Sequence, residues 1–290
     1  MACQRLMQDI RTQWTTVGAV ELPGFIRESV RAQLAAEVAP SAGLLSHHRL
    51  YAKPYLGAPV FGNLTDLDTD PRHPLRRQHQ TDIHAVAADQ VSRGTLLRRL
   101  YDSPQVAAFF ARLVETPELH QYADEFQKLN VMYQFDGGAR NWHYDGSDFV
   151  ATLMVQQGDE GGEFEFAPFI RGEMNEDGRY DERYDAVRAL FDGSYEGRRL
   201  KTRAETGSLQ LFNGCRSLHR VRSVYGPTTR ITAVLSYDTR PACEQPAPSL
   251  AANLRNYGPR LTDSPLWELS QAERQKACAG LASPPPFETE

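Results

Sequence analysis

The chain has 290 residues, 41% hydrophobic and 24% charged, with a formal net charge of -5. That composition suits one large domain or two small ones with a real core. The acidic balance supplies no basic excess to hold a phosphate backbone, so nucleic acid is excluded as an expected partner. Four cysteines, Cys3, Cys215, Cys243 and Cys278, stand far apart with no C-x-x-C pair. That argues against a zinc ribbon or a disulfide framework. The opening MACQRLMQDIRTQW lacks the apolar run of a secretory signal. No stretch approaches the ~18 apolar residues of a membrane span. The expectation is a soluble, cytoplasmic protein.

Residues 1–125 read as mixed and mainly helical. ESVRAQLAAEV, from Glu28, carries apolar residues at helical spacing after the turn-like ELPGF. SPQVAAFFARLVETPELHQYADEF opens with a Ser cap and a proline at the first helical position. Its Val106, Phe109, Phe110 and Leu113 form an i, i+3, i+4, i+7 stripe. Between these lies LYAKPYLGAPVFGNLTDLDTDPRHP, a long polar segment that is a candidate lid or a disordered excursion. RRQHQTDIH reads as a solvated helix face. His47, His48, His73, His79, His84 and His120 read as surface or structural histidines.

From residue 126 the texture changes. KLNVMYQF, ATLMVQQ, GEFEFAP, SLQLFNG, HRVRSV and TRITAVLSYD are short β-prone runs separated by Gly, Asp and Pro turns. They predict an antiparallel sandwich or barrel over 126–240. A charged insertion over 171–200 interrupts it, with a helix expected around DERYDAVRALF. It reads as a solvated excursion or as a cover for a pocket. Residues 241–280 read as a C-terminal extension and 281–290 as a disordered tail. The expected class is α+β, a single domain over 1–280.

The segment NWHYDGS carries the first chemical signal. It sets His143 and Asp145 two positions apart. A second imidazole, His219, follows 76 positions later in the β-rich half, and Arg230 stands eleven positions beyond it. Two histidines and one carboxylate are the facial triad of non-haem Fe(II) sites. An arginine opening the next strand can grip a carboxylate with its fork of donors. Thr232 and Ser236 share its strand face.

The pattern H-x-D … H … R resembles the Fe(II)/2-oxoglutarate-dependent oxygenases over roughly residues 126–240. The resemblance implies a double-stranded β-helix (jelly-roll) core with N-terminal helices packed on it. It implies iron held by His143, Asp145 and His219. Arg230 would bind the distal carboxylate of 2-oxoglutarate, with Thr232 and Tyr133 as further contacts. The preceding strand has one face of Val131, Tyr133 and Phe135 and another of Asn130 and Met132, and the sequence leaves open which one lines the pocket. The stretch LNVMYQFDGGARNWHYDGSDFVATLMVQQGDEGGEFEFAPFIR is further similar to the free-amino-acid halogenases of the BesD type and their hydroxylase relatives. Its carriers are Trp142 to Ser147, Gly161 to Pro168 and Arg171.

The halogenases have a small residue where Asp145 stands, and halide fills the vacancy. A retained carboxylate implies hydroxylation instead, with desaturation or ring closure left open. The implied co-substrates are 2-oxoglutarate and O2. The implied substrate is a free L-amino acid, such as lysine, ornithine or arginine, or else an aliphatic amino acid or natural-product intermediate. Arg76 or Arg77 would hold its carboxylate. Glu125, Ser147 and Asp148 are candidates for its ammonium. Trp142 would flank the metal site or close the sheet as a core aromatic. A homodimer is left open. The competing reading is a non-catalytic, cupin-like binding protein, in which Arg230 has no evident task.

Overall fold

A computed structural model describes residues 2–40, 45–52, 54–55, 70–123, 127–147 and 149–241. The N-terminal part holds α1 (Ala2–Val17), β1 (Ala19–Leu22), α2 (Glu28–Glu37), β2 (Ser46–Ala52), β3 (His79–Val86), α3 (Leu96–Tyr101), α4 (Pro104–Leu113) and β4 (His120–Gln121). Then come β5 (Leu129–Gln134), β6 (Arg140–His143), β7 (Phe149–Gln156), β8 (Glu160–Gly161) and β9 (Phe164–Ala167). The helix α5 (Tyr184–Asp192) interrupts the strands. It is followed by β10 (Leu200–Thr202), β11 (Leu209–Phe212), β12 (Leu218–Val221), β13 (Val224–Tyr225) and β14 (Arg230–Asp238).

The strands form an eight-stranded sheet in the order β1-β11-β7-β14-β5-β3-β2, with β4 also paired to β14. A four-stranded sheet runs β10-β9-β12-β6, and β13 pairs with β8. All the pairings are antiparallel. Alternation of side chains gives each sheet two faces with different tasks. On β14, Ile231, Ala233, Leu235 and Tyr237 pack with Leu129, Val131 and Tyr133 of β5 and with Ala151 and Leu153 of β7. The same cluster takes in Ile10, Leu34, Leu97 and Phe110 from α1 to α4. The apolar stripe on α4 is what meets it, with Phe110 and Leu113 fully buried. Among the described residues, no helix is long and apolar enough to cross a membrane.

Three expectations change. RRQHQTDIH is not a helix face: His79–Val86 is strand β3, paired to β2 and β5. The first 125 residues therefore contribute β1, β2, β3 and the short β4 to the large sheet. The insertion does form its helix, α5; its flanks are largely exposed, as a solvated excursion would be, but the helix is packed, and no described residue of 171–200 lines the cavity. Val187 and Leu190 are buried with Trp142, Tyr144, Ile170 and Leu218 in a second core behind the four-stranded sheet. Its charged flanks hid a short amphipathic stripe. The candidate lid falls largely at 56–69, and the C-terminal extension and tail at 242–290; both lie outside the described residues.

Candidate metal centre

The cavity lies between the two sheets and has a volume of about 120 Å³. His143 ends β6 and His219 sits on β12, directly opposite it in register. Asp145 follows two residues after His143. Ligand atoms of the three lie within 4.8 Å of one another. His219 Nε2 is 3.3 Å from Asp145 Oδ2, and His143 Nε2 is 3.7 Å from Oδ1.

Backbone carbonyls orient both rings. The Asn141 carbonyl is 2.6 Å from His143 Nδ1, and the Ser217 carbonyl is 2.9 Å from His219 Nδ1. A carbonyl can only accept, so each Nδ1 donates, and in the neutral ring that a metal ligand must be, Nε2 is the nitrogen left to bind the ion. Both Nε2 atoms lie on the side of the Asp145 carboxylate. Acceptors converging at this spacing call for a cation between them, and two imidazoles with one carboxylate suit a divalent transition metal. Burial, then Arg140 and His219, lower the His143 pKa well below its ordinary value and keep the ring neutral, as a ligand must be. Burial by itself would raise the Asp145 pKa. His219, His143 and Arg140 outweigh it and hold the carboxyl well below the usual carboxylate range.

Two glycines make room for this chemistry. The Asp145 amide donates to the Gly214 carbonyl at 3.0 Å, and a Cβ on Gly214 would fall 1.9 Å from Asp145 Oδ2. Any side chain there would displace the carboxylate. At the other end of the cavity, Gly162 has φ +66°, and a Cβ would meet Arg230 Cδ at 2.8 Å. The second glycine of the pair in GDEGGEF thus gives the Arg230 stem its bed. Arg230 is buried and donates from Nη1 to Gln134 Oε1 at 2.7 Å and to Thr232 Oγ1 at 3.2 Å. Burial, then Arg203, lowers its pKa to about 10, so it stays cationic near neutrality.

Arg140 was absent from the sequence candidates, and it lines the cavity. Its Nε donates to His143 Nε2 at 2.6 Å. Strict alternation from His143 would turn Arg140 away. Between the pairs His219↔His143 and Val221↔Arg140 the register shifts, so two residues of β6 face one of β12. That β-bulge returns Arg140 to the cavity side.

The other candidates divide. Thr232, Ser236 and Ser147 line the cavity, as do Asn130, Met132 and Gln134 of β5. Tyr133 is corrected: it lies on the opposite face, in the large core, and its hydroxyl donates to the Val38 carbonyl at 2.9 Å. Trp142 takes the second of its two readings, a core aromatic, and does not line the cavity. It is buried in the second core, with the Arg220 guanidinium 4.5 Å over its ring. Arg76 is exposed, and Arg77 pairs with Asp192 and stacks on Phe191 of α5. Neither lines the cavity, because β3 and α5 hold that segment behind the small sheet. Glu125 and Asp148 lie outside the described residues.

Behind the ligands sits Arg171, 1% exposed. Its guanidinium lies 4.0 Å over Tyr180 and 5.1 Å over Tyr144, pairs with Glu182, and donates to the Cys215 carbonyl at 3.3 Å. Tyr144 stands between His143 and Asp145, and Cys215 follows Gly214. One buried cation therefore braces both ligand segments.

No protein-family model and no curated protein matches the chain. Solved structures do. A 2OG-Fe(II) oxygenase family oxidoreductase from Burkholderia pseudomallei superposes with TM-score 0.51 at 18% identity, over 81% of this chain and 91% of that one. SnoN, a non-heme alpha ketoglutarate dependent epimerase from nogalamycin biosynthesis, gives 0.52 at 16% identity, over 81% and 83%. The carbocyclase SnoK of the same biosynthesis gives 0.52 at 15%, over 80% and 83%. The chain has the fold of these oxygenases. The antiparallel sheets around the cavity are the jelly-roll core that the H-x-D … H … R resemblance implied.

Proposed function

We propose that the chain is an Fe(II)/2-oxoglutarate-dependent oxygenase acting on an unactivated C–H bond of a small, carboxylate-bearing molecule. The observation that carries this is the convergence of two carbonyl-oriented Nε2 atoms and one carboxylate in a cavity that also holds a buried arginine. His143, Asp145 and His219 would hold the iron. Arg230, backed by Thr232 and Gln134, would pair with the far carboxylate of 2-oxoglutarate. Bound together, iron and 2-oxoglutarate supply the oxidising chemistry, with O2 consumed and succinate and CO2 released. The chain's own part is to keep the two imidazoles neutral and aimed, exclude water and hold the target carbon in place.

Arg140 supports the substrate class. Its guanidinium cannot share the His143 Nε2 lone pair with a ligated metal. In a loaded site the half-buried guanidinium would give up that bond, and with Asp145 engaged as a ligand it would favour a further anion. A substrate carboxylate would supply it. Within this class we favour a free L-amino acid, on the resemblance of the 129–171 stretch to amino-acid-modifying relatives. Its ammonium would need an acid, for which Asp148, next to the cavity-lining Ser147, is the candidate. With a carboxylate retained at position 145, hydroxylation is the proposed outcome. Desaturation and ring closure start from the same substrate radical and are outcomes of the test.

The test is anaerobic reconstitution with Fe(II) and 2-oxoglutarate, then oxygen and pooled amino acids, read by mass spectrometry. A visible-range band before oxygen, succinate after it, and one amino acid heavier by a single oxygen atom are expected. Loss of two hydrogens would move the outcome to desaturation or cyclisation. Succinate without amino-acid change would overturn the amino-acid reading alone. No band in wild type, with metal bound elsewhere, would favour the cupin-like binding protein.

A further inference from the structure

A second pair of imidazoles and a carboxylate meets at the far edge of the eight-stranded sheet. β2 is the terminal strand there, and its register sets His47 opposite His84 and Arg49 opposite Asp82 of β3. Asp82 and His84 are two apart on one strand and so emerge on one face. The His47 and His84 rings lie parallel, centroids 4.1 Å apart with 4° between planes. His47 Nε2 is 2.7 Å from Asp82 Oδ1. One ligand atom from each of the three lies within 4.8 Å of the others.

This group is separate from the cavity. Ile83, between Asp82 and His84, lines the cavity, so its neighbours point the other way. His84 instead meets the edge of Phe135 at 4.8 Å. The Arg49 guanidinium lies 3.6 Å from the carboxylate. It faces Oδ2, not the Oδ1 turned to His47, and its side chain is 68% exposed.

We propose that His47, Asp82 and His84 form a second metal site, for a borderline divalent ion such as zinc or nickel, that pins β2 to β3. Two imidazoles and one carboxylate select that class over magnesium or calcium. The cross-strand register has already brought the ligands together, so little further ordering opposes binding. Partial exposure leaves the remaining positions to water and lets the ion exchange. The tether matters because β2 leads into the ligand loop. The Pro54 carbonyl accepts from the Tyr144 amide at 2.8 Å, and Tyr55 packs on Tyr144 at 5.0 Å between ring centroids. An ion at the sheet edge would restrain the strand whose continuation carries the backbone between His143 and Asp145.

The experiment uses the full chain, stripped of metal and titrated with zinc, in a background of Asp145→Ala with His219→Ala that removes the cavity site. That background is expected to keep one tightly bound zinc per chain and to melt at a higher temperature with zinc than without. Adding His47→Ala, at an exposed position, or Asp82→Asn should abolish both effects. Zinc lost already in the background, or retained unchanged after both additions, would overturn the proposal. Neither result bears on the cavity reading, which is tested by the iron-dependent band in the wild-type protein.

Discussion

The two faces of the four-stranded sheet share the same few residues and do opposite things. Arg140, His143, Asp145 and His219 turn inward to a cavity where potential ligand atoms converge. Trp142, Tyr144 and Leu218 alternate with them and turn outward into a dry core closed by α5. The inner face is organised by backbone carbonyls and glycines, which aim charge without filling space. The outer face is organised by packing, which stiffens the strands that do the aiming. A metal centre of this kind is only as well placed as the core behind it.

The sharpest break in that comparison is Gly214→Ala. It adds one methyl where Asp145 Oδ2 must sit. Loss of the iron and 2-oxoglutarate band and of turnover is expected, with circular dichroism and melting temperature almost unchanged. Unaltered iron binding would show that Asp145 does not occupy this position in the loaded protein.

Arg171→Met should damage both faces together. It leaves Glu182 half-buried beside the core without its cation; burial already raises the Glu182 pKa despite that partner. Removing one member of a buried pair costs about 3–5 kcal/mol. Denaturant unfolding should show this loss, and iron affinity should fall with it because Tyr144 and the Cys215 turn lose their brace. A stability loss with iron affinity intact would separate the two faces.

Leu190→Ala tests the outer face by itself. Truncating a buried leucine of α5 is expected to cost about 2–4 kcal/mol with no change in the KM for 2-oxoglutarate. A shifted KM would mean that the insertion shapes the cavity directly. Tyr133→Phe is the smallest change. It removes the hydroxyl bond to Val38, costing about 0.5–1.5 kcal/mol, and should leave 2-oxoglutarate binding untouched. A weakened 2-oxoglutarate KM would return Tyr133 to the cavity.

Much of the chemistry was legible because it resides in residue types and spacings. H-x-D and the later histidine are brought together by the fold, the trailing arginine lines the same cavity, and period-2 alternation correctly grouped Arg230 with Thr232 and Ser236. The strand texture after residue 126 announced antiparallel sheets, and DERYDAVRALF announced its helix. What failed depended on which face of a strand meets which layer. Alternation divides β5 into two faces, but only the packing of α1 to α4 made Tyr133 a core residue and Asn130, Met132 and Gln134 the cavity wall. Trp142 could flank the metal site or close the sheet, and α5, more than forty positions on, made it a core residue.

Arg140 shows the limit most clearly. A one-residue bulge against β12 reverses the side it faces, and nothing local in ARNWH marks that shift. Gly214 read as an ordinary turn residue until Asp145 lay against it. Residue identity and local period determined which chemistry the chain can perform. Register, bulges and the layer behind each strand, set by contacts between residues far apart in sequence, decided which side chains reach it.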